Sequence, residues 1–178
     1  MKKIAALCLA CLSSLSVAKA EPLASVYAVW GDGNTEGVKL AYEADTRLLN
    51  AWLPAWLAEG ELSLETSVGY WGYDGKKGHE TNWLLTGSPV LRYPLGSLAD
   101  LDVFFEIGVG LALLQETRFA NRNLDTHYQF ESRLGLETRL GEADRHRLGL
   151  NYLHYSNAGL GSPNPGMNFI SLSYRYSW

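Results

Sequence analysis

The 178-residue chain carries 15 basic and 19 acidic residues, a formal charge of −4, with 47% hydrophobic residues and two cysteines. An acidic chain has no electrostatic case for binding nucleic acid, whose phosphates call for clustered Lys and Arg. Both cysteines, Cys8 and Cys11, lie near the amino terminus, so the remainder has neither a disulfide framework nor thiol chemistry.

Met1-Lys2-Lys3, an apolar run from Ile4 to Leu15, and Ala18-Lys19-Ala20 follow one another at the start. A basic region, an apolar region and a small-x-small site in that order read as a secretory signal. The run is too short for a membrane-spanning helix, which needs about 20 residues. Cys11 is a poor lipoprotein acceptor, because Cys8 stands where such a signal wants Leu. Without residues 1–20 the chain is one domain, 21–178, of 158 residues. Its basic residues fall to 12 against 19 acids, a net charge of −7, since Lys2, Lys3 and Lys19 leave with the signal.

In chain order, Tyr27 to Trp30 is the first strand candidate, and Gly31-Asp32-Gly33-Asn34 the first turn. Val38, Leu40, Tyr42 and Ala44 then alternate with Lys39, Ala41, Glu43 and Asp45. Leu48 to Leu57, with Trp52 and Trp56 four apart, reads as a short interfacial helix or an aromatic loop extension. Leu62, Leu64, Thr66, Val68 and Tyr70 alternate with Glu61, Ser63, Glu65, Ser67 and Gly69, and Asp74 to Gly78 marks a turn. Trp83 to Tyr93 is a less cleanly patterned strand, whose Pro89 must sit where no ladder donor is needed.

Val103, Phe105, Ile107, Val109, Leu111 and Leu113 alternate with Asp102, Phe104, Glu106, Gly108, Gly110 and Ala112. Ala120 to Asn123 marks a loop. Tyr128, Phe130, Leu134, Leu136 and Leu140 then oppose Gln129, Glu131, Arg133, Glu137 and Arg139. Residues 145–157 and 167–178 complete eight strands; the last sets Ile170, Leu172, Tyr174, Tyr176 and Trp178 against Ser171, Ser173, Arg175 and Ser177. Period two sustained this long is strand.

The apolar faces are free of charge for whole strands, while the other faces carry Glu, Arg, Gly and Ser. A soluble sandwich also has one apolar face per strand, but it does not expose Tyr and Trp near strand ends. An inverted barrel satisfies both faces, with lipid outside and paired charges inside. Lys or Arg on the lipid face costs about 2–4 kcal/mol at the bilayer midplane, which accounts for the charge-free wall. The fold class expected is all-β, an eight-stranded antiparallel transmembrane barrel of the outer membrane. Trp30, Trp71 and Trp83 are expected as interfacial anchors.

Residues two apart on a strand point the same way, so His154 and Ser156 share a face that continues through Tyr152, Leu150 and Leu148. A base and a hydroxyl on a greasy wall suggest an enzyme whose substrate arrives through lipid. Serine is a weak nucleophile until a neighbouring base takes its proton. Asn157, by side chain or backbone N–H, is a candidate donor to an oxyanion, and Gly159 permits close approach of an acyl group. Parity also sets Asn168 on the face of His154, where its amide oxygen can orient the imidazole. Glu131 and Glu137 are excluded, since parity turns them inward. His79, His127 and His146 lack metal-ligand spacing, so no metal or cofactor is implied.

Four motifs, Asn123-Leu124, Phe130-Glu131-x-Arg133-x-Gly135, His154-Tyr155-Ser156-Asn157-Ala158-Gly159 and Pro163-Asn164-x-Gly166, together resemble the PagL-type lipid A 3-O-deacylases. The resemblance is clearest from Glu116 to Trp178. It implies an outer-membrane esterase that removes the acyl chain at position 3 of lipid A, or lipopolysaccharide, with Ser156 as nucleophile and His154 as base. Asn157 would contribute to the oxyanion hole, and Phe130 and Gly159 would shape the acyl groove. The family's best-known form has Glu where this chain has Asn168, which leaves the identity of the triad acid open. A homodimer is left open as well. The rival expectations are a non-catalytic barrel serving adhesion or membrane stability, its motif degenerate, and an acyl transferase.

Overall fold

Strict alternation turns every second side chain to one face of a sheet, and here the sheet closes on itself. The computed structural model describes residues 22–45, 53–75, 78–141 and 144–178. The expected signal, residues 1–20, lies outside them, as does half of the segment from Leu48 to Leu57. Of that segment the described part holds a single 3₁₀ turn, Ala55–Leu57, with Trp56 exposed.

The strands are β1 (Leu23–Gly31), β2 (Thr35–Asp45), β3 (Glu61–Gly75), β4 (Gly78–Leu98), β5 (Leu101–Leu114), β6 (Arg118–Phe119), β7 (Arg122–Asn123), β8 (Tyr128–Leu140), β9 (His146–Ser156) and β10 (Met167–Ser177). Eight close an antiparallel barrel in the order β1-β10-β9-β8-β5-β4-β3-β2, and β6 with β7 forms a small hairpin in the β5–β8 loop. Closure pairs every strand on both sides, which a lipid environment demands of any β structure. No helix among the described residues is long and apolar enough to cross a membrane.

Several strands outrun the sequence pattern. Pairing of β3 with β4 continues through Asp74 opposite His79 to Gly75 opposite Gly78, residues expected in a turn. Pro89 behaves as its missing N–H requires: the β4–β5 register passes from Gly87 opposite Leu111 to Val90 opposite Gly108.

The outer wall is the apolar set. Leu40, Leu85, Val109, Leu111, Leu134, Leu136, Leu150 and Leu172 are all exposed there, and Trp30 and Trp83 stand near the strand ends. Trp71 does not join them. It is 1% exposed inside the barrel, stacked on Phe169 with ring centroids 4.6 Å apart. Tyr70 takes the outward position and Trp71, one residue on, must face in.

The interior has two layers. Its charged layer buries the carboxylates of Glu43, Glu65, Glu106, Glu131 and Glu137 with Lys39, Arg92, Arg133, Arg139 and Arg175, five of each sign. Arg133 contacts Glu65, Glu106 and Glu131, and Lys39 bridges Glu131 at 2.8 Å and Glu65 at 3.0 Å. An apolar layer of Trp71, Phe119, Leu124, Leu153, Tyr155, Met167 and Phe169 lies toward the end where β9 finishes. Phe119 and Leu124 belong to the β5–β8 loop, which therefore folds inward as a plug.

Buried ion pairs contribute little net stability, but removing one partner strands the other. Arg133→Ala is therefore expected to destabilise the barrel by about 3–5 kcal/mol, read as urea unfolding in detergent micelles by tryptophan fluorescence. A loss under about 1 kcal/mol, as for a surface pair, would contradict this account of the interior.

Candidate active site

The end of β9 lies between β8 and β10, and the register sets its neighbours. His154 is opposite Asn168 on β10 and Ser132 on β8, and Ser156 is opposite Phe130 on β8. All face outward and are half-buried, above the exposed Tyr152 and Leu150. Leu153, Tyr155 and Asn157 alternate with them and point inward, with Tyr155 2% exposed. The Tyr155 hydroxyl donates to Glu131 at 2.7 Å, and its ring meets Trp71 edge-on at 4.9 Å. The strand segment carrying His154 and Ser156 is thus clamped from behind by the charged network and the aromatic layer.

His154 Nδ1 lies 2.7 Å from Asn168 Oδ1. The same oxygen accepts from the Tyr152 hydroxyl at 2.6 Å, and Asn168 Nδ2 donates to Asp32 Oδ2 at 3.0 Å. Every polar atom of the Asn168 amide is therefore engaged. Since Oδ1 only accepts, the proton between it and His154 belongs to the imidazole, which leaves Nε2 unprotonated in the neutral ring.

Asp32 follows β1 in a tight turn, and its main-chain N–H donates to the Asn168 carbonyl at 3.0 Å. Arg122, on β7 of the plugging loop, donates from Nη1 to Asp32 Oδ2 at 2.9 Å and to the Gly166 carbonyl at 2.7 Å. Partial burial opposes ionisation of Asp32. The hydrogen bonds from Arg122 and Asn168 outweigh it and hold the carboxyl below the usual carboxylate value.

Extending the β9–β10 register by one residue sets Gly166 opposite Ser156. A Cβ there would lie 2.9 Å from His154 Cε1 and 3.6 Å from Nε2, and the backbone has φ +62°. Glycine is required twice over, for the left-handed turn and for the space beside the ring. Side chains two apart on a strand are separated by about 7 Å at their roots, which an imidazole leaning this way can span to a hydroxyl. In this resting arrangement Ser156 makes no side-chain hydrogen bond among the described residues. Catalytic contacts commonly tighten only when substrate is bound.

Asn157 is fully buried at the foot of the loop that follows β9. Its Nδ2 lies 3.4 Å from the carbonyls of Leu124 and Pro163, its Oδ1 accepts the Gly159 N–H at 2.9 Å, and its own N–H donates to Asn164 Oδ1 at 3.1 Å. The side chain braces the turn from inside and does not face the outer wall that carries Ser156. Gly159 itself is exposed on that turn.

Sequence reasoning did not single out Asp32, Arg122 or Tyr152. Asp32 was hidden in a string of turn formers, and Arg122 in a loop with no period to place it. Gly166 was part of a motif without a physical role.

Residues 36–177 match the family model described as lipid A 3-O-deacylase (PagL). The lipid A deacylase PagL of Bordetella bronchiseptica is 31% identical over 98% of this chain and 93% of its own length. That of Pseudomonas aeruginosa is 32% identical over 98% of both. The crystal structure of the outer membrane enzyme PagL superposes with a TM-score of 0.66 at 26% identity, over 86% of this chain and 98% of that one. A designed transmembrane β-barrel, 12% identical with a TM-score of 0.56 over 89% of this chain and 96% of its own, shares the fold alone. With a barrel of outer-membrane type and a family match over most of its length, the chain belongs to the lipid A 3-O-deacylase (PagL) family.

Proposed function

We propose that the chain is a serine esterase that hydrolyses the ester-linked 3-hydroxyacyl chain at position 3 of lipid A, after export directed by residues 1–20. Ser156 is the nucleophile, His154 the general base and Asn168 the residue that orients it. The observation that carries this reading is the His154–Asn168 hydrogen bond, 2.7 Å, on the lipid-facing wall two residues from a serine. A structural histidine at an interface has no need of a tautomer fixed by a neighbouring amide.

The setting fits the substrate. The site lies at the end of the barrel opposite Leu23 and Ser177, where the loops 115–127 and 157–166 gather. In this reading that end faces outward from the cell, as outer-membrane barrels turn their longer loops, and so sets Ser156 at the level of outer-leaflet headgroups; the 46–60 connection lies at the opposite end. Lipid A presents its sugar at that depth and its acyl chains below. Leu134, Leu136, Leu148 and Leu150 form an exposed aliphatic wall beneath His154 along which a chain can lie, with Phe130 beside Ser156 at its head.

In the reaction, His154 Nε2 takes the Ser156 proton as Oγ attacks the ester carbonyl. The tetrahedral oxyanion is held by N–H groups of the turn 157–159. The Asn157 and Gly159 N–H groups reach it by exchanging their bonds to Asn164 Oδ1 and Asn157 Oδ1, and Gly159 and Phe130 bound the acyl groove. Collapse expels the sugar 3-oxygen, which receives the proton from the imidazolium. Water, activated by the same nitrogen, then cleaves the acyl-serine and frees the hydroxy fatty acid.

Mass spectrometry of lipid A from cells expressing the chain is expected to show loss of one hydroxyacyl group. Unchanged lipid A from cells with correctly inserted barrel would sink the reading. Added acyl mass would instead identify a transferase.

A further inference from the structure

We propose that Asp32 is the positioning residue that allows Asn168 to stand where a carboxylate would otherwise be needed, by fixing which way the Asn168 amide faces. The inference rests on the serine-esterase reading above. In a Ser-His-Asp triad, exchanging the acid for Asn costs about 10⁴-fold in turnover, because the imidazole is left in the wrong tautomer. An amide has two faces, and the NH₂ face turned toward Nδ1 demands an unprotonated Nδ1, which moves the proton to Nε2 and disables the base.

Asp32 removes that option. Its Oδ2, 3.0 Å from Asn168 Nδ2, accepts a hydrogen bond, and as a carboxylate it has no proton to give. A flipped amide would set two oxygens against each other at that distance. The Tyr152 hydroxyl donates to Oδ1 at 2.6 Å, but a hydroxyl can accept as well as donate, so Asp32 is the group that discriminates between the two faces. Oδ1 is thereby committed to His154. Arg122 pairs with the same Asp32 oxygen at 2.9 Å, so the carboxylate is largely neutralised. Its effect is to orient the amide more than to place a charge beside the imidazolium.

Each member of the chain His154–Asn168–Asp32–Arg122 comes from a different element: β9, β10, the β1–β2 turn and β7. The seam where β1 meets β10 to close the barrel is what brings Asp32 beside Asn168, in register with Gly31 opposite Phe169. The plugging loop then supplies Arg122, which also holds the Gly166 carbonyl and so the glycine that faces the imidazole.

The test uses the full-length barrel in detergent micelles with purified lipid A, in two backgrounds, each variant first shown to be folded by its heat-modifiable migration. Asp32→Ala is expected to lower the maximal rate by on the order of 10²-fold, short of the full cost of a mis-set tautomer because an unrestrained amide still visits the productive face. Asp32→Asn, which can still offer an oxygen to Asn168 Nδ2, is expected to retain more activity than Asp32→Ala. In an Asn168→Glu background the amide is gone, and Asp32→Ala is expected to leave the rate within about threefold or raise it, since a carboxylate needs no second residue to select its face and loses a like-charged neighbour. Equal losses in the two backgrounds would assign Asp32 a general structural role and overturn the proposal.

A second readout does not depend on turnover. In the ¹⁵N spectrum of histidine-labelled protein, neutral His154 is expected to carry its proton on Nδ1, and Asp32→Ala to shift population to the Nε2-protonated form. An unchanged tautomer in Asp32→Ala would overturn the proposal too. Should the wild-type barrel leave lipid A intact, the esterase reading fails on its own, while the tautomer shift still decides what Asp32 does.

Discussion

Ser156→Ala is expected to reduce deacylation of lipid A to the level of cells lacking the protein, while the barrel inserts and migrates as wild type. Removing the nucleophile of a serine hydrolase costs on the order of 10⁶-fold in turnover, and removing its base about as much, because the two act as one unit. His154→Ala is thus expected to match Ser156→Ala, and the double variant to lose no more than either. That non-additivity separates a catalytic pair from two residues that merely help bind lipid, whose losses would combine. Neither substitution threatens the fold: both side chains are on the outer wall, and the buried partner between them, Tyr155, keeps its bond to Glu131 at 2.7 Å. Lipid A mass spectra of membranes expressing each variant give the measurement. A Ser156→Ala barrel that still removes the acyl chain would dismiss Ser156 as nucleophile.

Strand parity made much of this arrangement legible. It placed His154, Ser156 and Asn168 on one face and turned Glu131 and Glu137 inward, and the last two are at most 1% exposed. It worked because a membrane barrel leaves no freedom of register: a one-residue slip would put Glu and Arg into lipid. The same rule also applied to Trp71, next to the outward Tyr70, but the expectation followed the habits of tryptophan instead of its parity. An aromatic layer beneath the loops was not visible because its members come from β3, β9, β10 and the plug, four separate stretches, each with one or two inward apolar residues. The β5–β8 loop could not be placed at all. No period governs it, and the contacts that fold it inward, Phe119 and Leu124 on Trp71 and its neighbours, are long-range.

Asn168→Ala is expected to lower turnover by on the order of 10³- to 10⁴-fold, the cost of an imidazole whose tautomer is no longer set, with little change in lipid A binding. The loss should be large because Oδ1 is the acceptor given to His154 Nδ1 at 2.7 Å, and the Tyr152 hydroxyl, which now donates to that oxygen at 2.6 Å, is a weaker acceptor than an amide carbonyl. Asn168→Glu is the informative counterpart. A carboxylate accepts the Nδ1–H and also stabilises the imidazolium formed during attack, which an amide does only weakly, so chemistry alone predicts activity at or above wild type. The surroundings limit the gain. Asp32 lies 3.0 Å from the present amide nitrogen, and a second carboxylate there meets a like charge that Arg122 must now serve twice. Asn168→Glu is accordingly expected to equal or exceed wild type by no more than about tenfold, and to gain further when Asp32→Asn removes the competing charge, since like charges at this spacing cost on the order of one pKa unit or more. Rates on purified lipid A for the three variants decide it. If neither Asn168→Ala nor Asn168→Glu changes the rate, the imidazole is oriented by another group, and the third position of the triad is not on β10.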